Sequence, residues 1–254
     1  MVALVTGAAG GIGAAIARRL GEEGTPVAAL DRDEERLREV AEKLTADGLD
    51  VTAFPVDVGS GAQVEAVVAE TERRLGPIGK LVNAAGVLRL GRAVALSDED
   101  WATTFSVNVN GVFHLSRAVV ARMVPRRSGA VVTVASNAAL TARVDMSAYA
   151  ASKAAALVFT KTLGLEVAGY GIRCNVVTPG STDTPMLSSL WSDHERALRA
   201  SIEGSPGVYR TGIPLGKVAE PGDIAEAVAF LLSSRADHIT LQHLTVDGGA
   251  TLGA

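Results

Sequence analysis

Short apolar runs alternate along the chain with longer stretches whose apolar positions recur at helical spacing. The runs read as strands at 2–6 (VALVT), 26–30, 51–56, 79–83, 130–135, 171–177 and 240–246. The periodic stretches read as helices at about 11–23, 33–47, 60–75, 98–124, 147–169 and 221–234, with a weaker one at 188–203. The strands are continuously apolar rather than alternating, which is expected when both faces of a parallel sheet are covered. Strand–helix–strand order with right-handed crossovers then predicts an α/β architecture: a doubly wound parallel sheet of about seven strands with helices on both faces. No linker, repeat or low-complexity segment interrupts the pattern, so 1–254 is read as one domain.

Composition narrows the class. With 254 residues and 48% hydrophobic content, the chain can bury a sizeable core. A single cysteine excludes a disulfide scaffold, and Cys174, inside an apolar run, reads as a small buried hydrophobe. Aromatics are only 4%, so Val, Ala, Leu and Ile must build the core, while 27 glycines mark many close backbone approaches. A net charge of −4 argues against a nucleic-acid partner. No basic segment leads into a long apolar run, and none approaches a membrane span, so a cytoplasmic location without a membrane partner is expected. The four histidines form no ligand pattern, and no metal is expected.

In such sheets ligands bind at the carboxyl ends of the strands. The first strand runs into Thr6-Gly7-Ala8-Ala9-Gly10-Gly11-Ile12-Gly13, which opens a helix. Glycines there let a pyrophosphate approach the backbone and the free N–H groups of the helix start. Gly7, Gly11, Ile12 and Gly13 are therefore candidate dinucleotide contacts. Asp31 ends the second strand, where a carboxylate accepts from ribose hydroxyls and repels a 2′-phosphate; this favours NAD over NADP, with Arg32 beside it as the opposing signal. Asp57 and Val58 follow the third strand and could meet the adenine edge. Asn83-Ala84-Ala85-Gly86 follows the fourth, with small residues where a ribose or nicotinamide must pass.

Tyr149 and Lys153 lie four residues apart on the predicted helix 147–169, hence on one face. Ser136 ends the strand before it. Asn108, in Asn108-Val109-Asn110-Gly111, is out of place within a helix unless its side chain is engaged. These positions, with Thr6–Gly13, Asn83–Gly86, Tyr149-Ala150-Ala151-Ser152-Lys153 and Pro179-Gly180, resemble the short-chain dehydrogenase/reductases over essentially the whole chain. The resemblance implies a single Rossmann-like domain, a nicotinamide cofactor and a catalytic set of Asn108, Ser136, Tyr149 and Lys153. Tyr149 would be the base, Lys153 its tuner and a ribose contact, Ser136 a holder of the substrate oxygen, and Asn108 the anchor of a water leading to Lys153. A free phenol has a pKa near 10. The Lys153 ammonium and the cofactor's positive ring are expected to lower it.

Two arginines stand where substrate should lie. Arg89 follows Asn83–Gly86, and Arg143 lies between Ser136 and Tyr149, although Asp145 could simply pair with Arg143. A closer resemblance sharpens this reading. It is carried by Leu88-Arg89-Leu90-Gly91, Arg143 with Met146, Arg173–Val177, Pro179–Thr184, Gly212–Lys217 and the tail from Asp247. It points to family members that oxidise a dihydrodiol carboxylate to the catechol acid of siderophores. It makes Arg89 and Arg143 candidate carboxylate partners. Leu90 and Met146 become an apolar wall, with Ser136 and Tyr149 on the reacting alcohol. Asn137 and Leu140 depart from the pattern, which leaves the ring substituents open. A dihydro-hydroxyanthranilate, another alcohol or ketone, and a catalytically silent dinucleotide binder remain alternatives. Thr182 and Thr184 could bond the nicotinamide amide or a phosphate. Residues 185–210, with Met186, Leu187, Leu190 and Trp191 at helical spacing, suggest a substrate lid. The family also implies a homotetramer.

Overall fold

A computed structural model describes residues 1–188 and 194–253. Seven strands, β1 (Val2–Thr6), β2 (Val27–Asp31), β3 (Val51–Pro55), β4 (Ile78–Asn83), β5 (Gly129–Val134), β6 (Ile172–Pro179) and β7 (His243–Val246), form one parallel sheet in the order β3-β2-β1-β4-β5-β6-β7. Between them lie α1 (Gly11–Glu22), α2 (Glu34–Ala46), α3 (Gly61–Leu75), α4 (Asp98–Phe105), α5 (Val112–Arg126), α6 (Ser147–Val167), α7 (Pro185–Ser188), α8 (His194–Glu203) and α9 (Pro221–Leu232). Pro55 sits at the end of edge strand β3, where a missing N–H is tolerated. No described helix is long and apolar enough to cross a membrane.

The unbroken apolar strands are explained by two separate cores. Ala3, Val5, Val27, Ala29, Val82 and Val132 face Ile16 and Leu20 of α1, Leu37 and Leu44 of α2, and Ile224 and Val228 of α9. Their neighbours Val2, Leu4, Ala28, Leu30, Leu81 and Val131 face Val64, Val67 and Val68 of α3 and Leu115, Val119 and Met123 of α5. Successive residues of each strand thus bury on opposite faces. Cys174 joins the second core, and burial pushes its thiol up to about 12, which leaves it protonated and inert.

The expected helix 188–203 is described only from His194 as α8, since 189–193 lie outside the described residues. Two other elements differ from the sequence reading. The stretch 98–124 is not one helix: a π-helical turn, Ser106–Gly111, separates α4 from α5. The last strand begins at His243 rather than 240, because Leu241 takes a positive φ of 61°. The edge there is closed by the Asn175 side chain, which donates to the Ile239 carbonyl and accepts from Gln242 N–H.

The strand order reverses between β1 and β4, which opens a crevice at the carboxyl edge of the sheet. Gly13 lets α1 close against that edge, since a Cβ there would overlap the Gly7 carbonyl oxygen. Gly13→Ala is expected to lower the unfolding free energy by about 1–3 kcal/mol. A urea titration reads this as a lower midpoint at unchanged slope; an unchanged midpoint contradicts the packing.

Candidate active site

A cavity of about 380 Å³ fills the crevice. Its walls include Gly7, Gly11, Ile12, Gly13, Asp31, Arg32, Asp57, Val58 and the stretch Ala84–Gly86. Gly7 has a φ of 71°, and a Cβ on it would stand 2.9 Å from the Ala84 carbonyl oxygen, so the turn requires glycine. The first turn of α1 carries no acidic residue, which leaves its N–H groups and positive dipole end to an anion. Asp31 is held at the end of β2, where its carboxylate accepts from Ala9 N–H at 3.2 Å and Asp33 N–H at 3.1 Å. Asp57 accepts from Gly59 N–H at 2.8 Å. This donor and acceptor set fits a dinucleotide: amides for the pyrophosphate, a carboxylate for ribose hydroxyls, and small side chains along the path.

Asn83 plays a different part from the one its position suggested. Its side chain is buried and donates to Ser116 and Thr133, bracing β4 against α5 and β5. The cavity is lined instead by the three small residues after it. Arg36, which the sequence reading missed, stands over the glycine turn with Nη2 3.1 Å from where a Gly10 Cβ would be.

A second cavity, of about 260 Å³, shares Ile12, Ala84, Gly86, Thr184 and Met186 with the first. The two are one cleft, and Thr184 stands at their seam, facing Gly11. Thr182 also lines the second cavity. So do Ser136, Tyr149, Lys153, Arg143 and Met146. Ser136 caps the turn after β5 and accepts from Ala138 N–H. Lys153 is buried beside the Tyr149 ring, its Nζ 5.8 Å from the ring centre, and donates to the Val134 carbonyl at 2.9 Å. Asn108 sits in the π turn with no exposed surface. It accepts from Val87 N–H at 2.9 Å, donates to the Val87 carbonyl at 3.0 Å and donates to Ser152 Oγ at 2.9 Å. Ser152 in turn donates to the Tyr149 carbonyl at 2.8 Å. Asn108 Oδ1 and Lys153 Nζ both border Gly86. The four residues expected to act together are thus brought together.

Without the cofactor's charge, burial raises the Tyr149 phenol above its ordinary pKa, and the hydrogen bond with Ser136 opposes this in part. Burial also pulls Lys153 down, to about 8. The site opposes charge on both groups and leaves the lysine titrating near neutrality.

The substrate side is partly rearranged. Arg143 and Met146 line the cavity, but Arg89 and Leu90 do not: both are exposed, and Arg89 pairs with Asp100 at 3.4 Å. Leu88 faces inward in their place. Asp145 leaves Arg143 alone and pairs with Arg92 at 3.0 Å. Asn137 donates to Asp247 of the tail, and Leu140 packs in a small cluster with Leu157. Arg210 lines the cavity and was missed, as it lies in a loop without periodic neighbours or a motif. Of the expected lid, Met186, Leu187 and Val208 line the cavity, while Leu190 and Trp191 lie outside the described residues.

The short chain dehydrogenase family model matches residues 1–195. The 2,3-dihydro-2,3-dihydroxybenzoate dehydrogenase of Bacillus subtilis (strain 168) is 55% identical, covering 99% of this chain and 96% of its own. The enzyme of the same name from Escherichia coli (strain K12) is 46% identical, covering 98% and 96%. A crystal structure of a gluconate 5-dehydrogenase from Burkholderia cenocepacia J2315, in complex with NADP and tartrate, is similar with a TM-score of 0.90 and 32% identity, over 99% of this chain and 95% of that one.

The buried lysine makes stability depend on pH. Its pKa falls on folding from 10.5 to about 8, so between these values the unfolded chain holds a proton that the native chain lacks. Stability therefore rises as pH goes from 8 to 10.5, by an amount on the order of 3 kcal/mol from this group. Lys153→Met removes that rise. Parallel urea curves for the two proteins across this range would contradict the burial of the ammonium.

Proposed function

The chain belongs to the short chain dehydrogenase family, oxidoreductases that bind a nicotinamide dinucleotide, and from that premise we propose that it oxidises 2,3-dihydro-2,3-dihydroxybenzoate to 2,3-dihydroxybenzoate with NAD. The observation that carries this reading is a single cleft in which the dinucleotide cavity opens onto Ser136, Tyr149, Lys153 and a cavity-lining arginine, Arg143. The two relatives at 55% and 46% identity, named for that activity, support it.

When bound, the oxidised nicotinamide supplies a hydride acceptor and a positive charge beside the phenol. Ser136 and Tyr149 hold the ring C3 hydroxyl; Tyr149 first gives its own proton towards Lys153, and the phenolate oxygen then takes the hydroxyl proton as the C3 hydrogen leaves with its electron pair. The pKa of Lys153, about 8, suits both taking and releasing a proton near neutrality. The C3 ketone then tautomerises, losing the C2 proton while the C3 oxygen gains one, and becomes an aromatic catechol acid. The charged, bidentate donor of Arg143 suits the ring carboxylate. Met146 and Leu88 supply apolar surface for the ring.

Asp31 supports NAD. Its carboxylate is pinned by two amides at the end of β2, where a 2′-phosphate would meet like charge. Arg32 and Arg36 line the same cavity and favour the opposite choice. The expected result is a kcat/KM at least tenfold higher with NAD than with NADP.

Incubation with NAD and the dihydrodiol acid should produce NADH together with aromatic absorbance. Product from the amino analogue alone would overturn the substrate assignment. Tyr149→Phe is expected to cut turnover by about 10²–10⁴-fold while NAD affinity stays within a few-fold. Turnover retained in that variant would remove Tyr149 from the chemistry.

A further inference from the structure

Resting on the reading above, we propose that Arg210 is the second arm of a two-guanidinium clamp, with Arg143 the first, which selects a substrate bearing one carboxylate. Both side chains line the 260 Å³ cavity, and they enter it from different segments. Arg143 comes from the loop between β5 and α6. Arg210 comes from the loop after α8, and its Nη2 donates to Ser181 Oγ at 2.7 Å. That bond fixes one side of the guanidinium and leaves its other N–H groups for a ligand.

The nearby carboxylates already have partners. Asp145 lines the same cavity but is paired with Arg92, and Asp100 is paired with Arg89. Asp247, whose charge Arg143 feels, is engaged by Gly249 N–H, Thr251 N–H, Thr251 Oγ and Asn137 Nδ2. Among the described residues, neither Arg143 nor Arg210 makes an ion pair. Burial lowers the pKa of both guanidiniums, and the Arg143 charge lowers that of Arg210 further. Two like charges therefore share a partly dry cavity whose other walls include Leu88, Val144, Met146 and Val208. Such an arrangement is unfavourable until an anion enters, and arginine pairs bind carboxylates in a planar, bidentate manner.

Asp247 offsets Arg143 only in part, so the arginine pair keeps a positive charge that a carboxylate can meet. The clamp also gives the ring a second fixed point. With the carboxylate on the arginines and one alcohol on Ser136 and Tyr149, only one ring carbon is presented for oxidation. Arg210 is thus a specificity-determining residue rather than a member of the proton relay.

The test compares wild type, Arg210→Gln and Arg210→Lys on two substrates: the dihydrodiol acid and the same cyclohexadiene diol lacking its carboxylate. The expected result is that Arg210→Gln lowers the acid-over-neutral ratio of kcat/KM at least tenfold, mostly through the KM of the acid, and that Arg210→Lys keeps part of it. A ratio within twofold of wild type overturns the clamp, whether both substrates slow together or neither does. If wild type oxidises neither substrate, the proposed reaction fails on its own. The clamp is then read by calorimetry of 2,3-dihydroxybenzoate against catechol. A wild-type preference for the acid that falls at least tenfold in Arg210→Gln supports it. No preference in wild type, or one unchanged in the variant, overturns it. Unfolding midpoints of both variants separate these outcomes from misfolding.

Discussion

Three segments far apart in sequence meet at one buried carboxamide. Asn108 takes both backbone groups of Val87, in the loop after β4, and donates to Ser152 on α6, whose hydroxyl holds the Tyr149 carbonyl. The loop after β4 borders the dinucleotide cavity, and α6 carries the phenol and the ammonium. Their separation is therefore set by hydrogen bonds to a side chain without solvent contact. A buried group stripped of its partner costs about 1–3 kcal/mol, so this junction tolerates one arrangement and disfavours neighbouring ones. The wider π turn that carries Asn108 is where the helix between β4 and β5 gives up regular bonding, a feature often found at functional sites.

Around that junction three cations, Lys153, Arg143 and Arg210, line one end of the cleft. The Lys153 ammonium gives a hydrogen bond to the Val134 carbonyl, and its lowered pKa reflects burial without a carboxylate partner. Arg143 and Arg210 are shifted in the same direction for the same reason. A protein gains little stability from one buried and two half-buried cations without carboxylate partners. Their placement at the open end of the sheet, beside the glycine turn, fits the anionic ligands proposed above. The phenol is the counterpart: with burial holding it neutral, its ionisation is left to the charge that arrives with the nicotinamide.

Much of this was readable in the residues. Strands buried on both faces give continuous apolar runs, and helices packed on one side give a 3.6-residue repeat, so β1 to β6 and most helices fall within a few residues of their expected limits. The glycine turn, Asp31, and the Tyr149 and Lys153 pair were accessible because each depends on local spacing. What escaped depends on long-range contacts. The π turn is set by Asn108 reaching Val87, which periodicity does not record. Arg89 and Arg143 look alike as loop arginines, yet one turns out to Asp100 and the other turns in. Arg210 enters the cavity only because the chain after α8 folds back, with Thr211 bonded to the Ala250 carbonyl and Leu215 N–H to the Gly248 carbonyl. Asn83 carries the right residue type at a strand end, but its side chain serves the core.

The proposed reaction takes hydride from one particular ring carbon, chosen by the way the cleft holds both ends of the substrate. Turnover of dihydrodiol acid deuterated at C3 with NAD, followed by mass analysis of both products, reads this choice. Singly deuterated NADH and an aromatic acid free of the label are expected. Unlabelled NADH, or label retained on the ring, would contradict it.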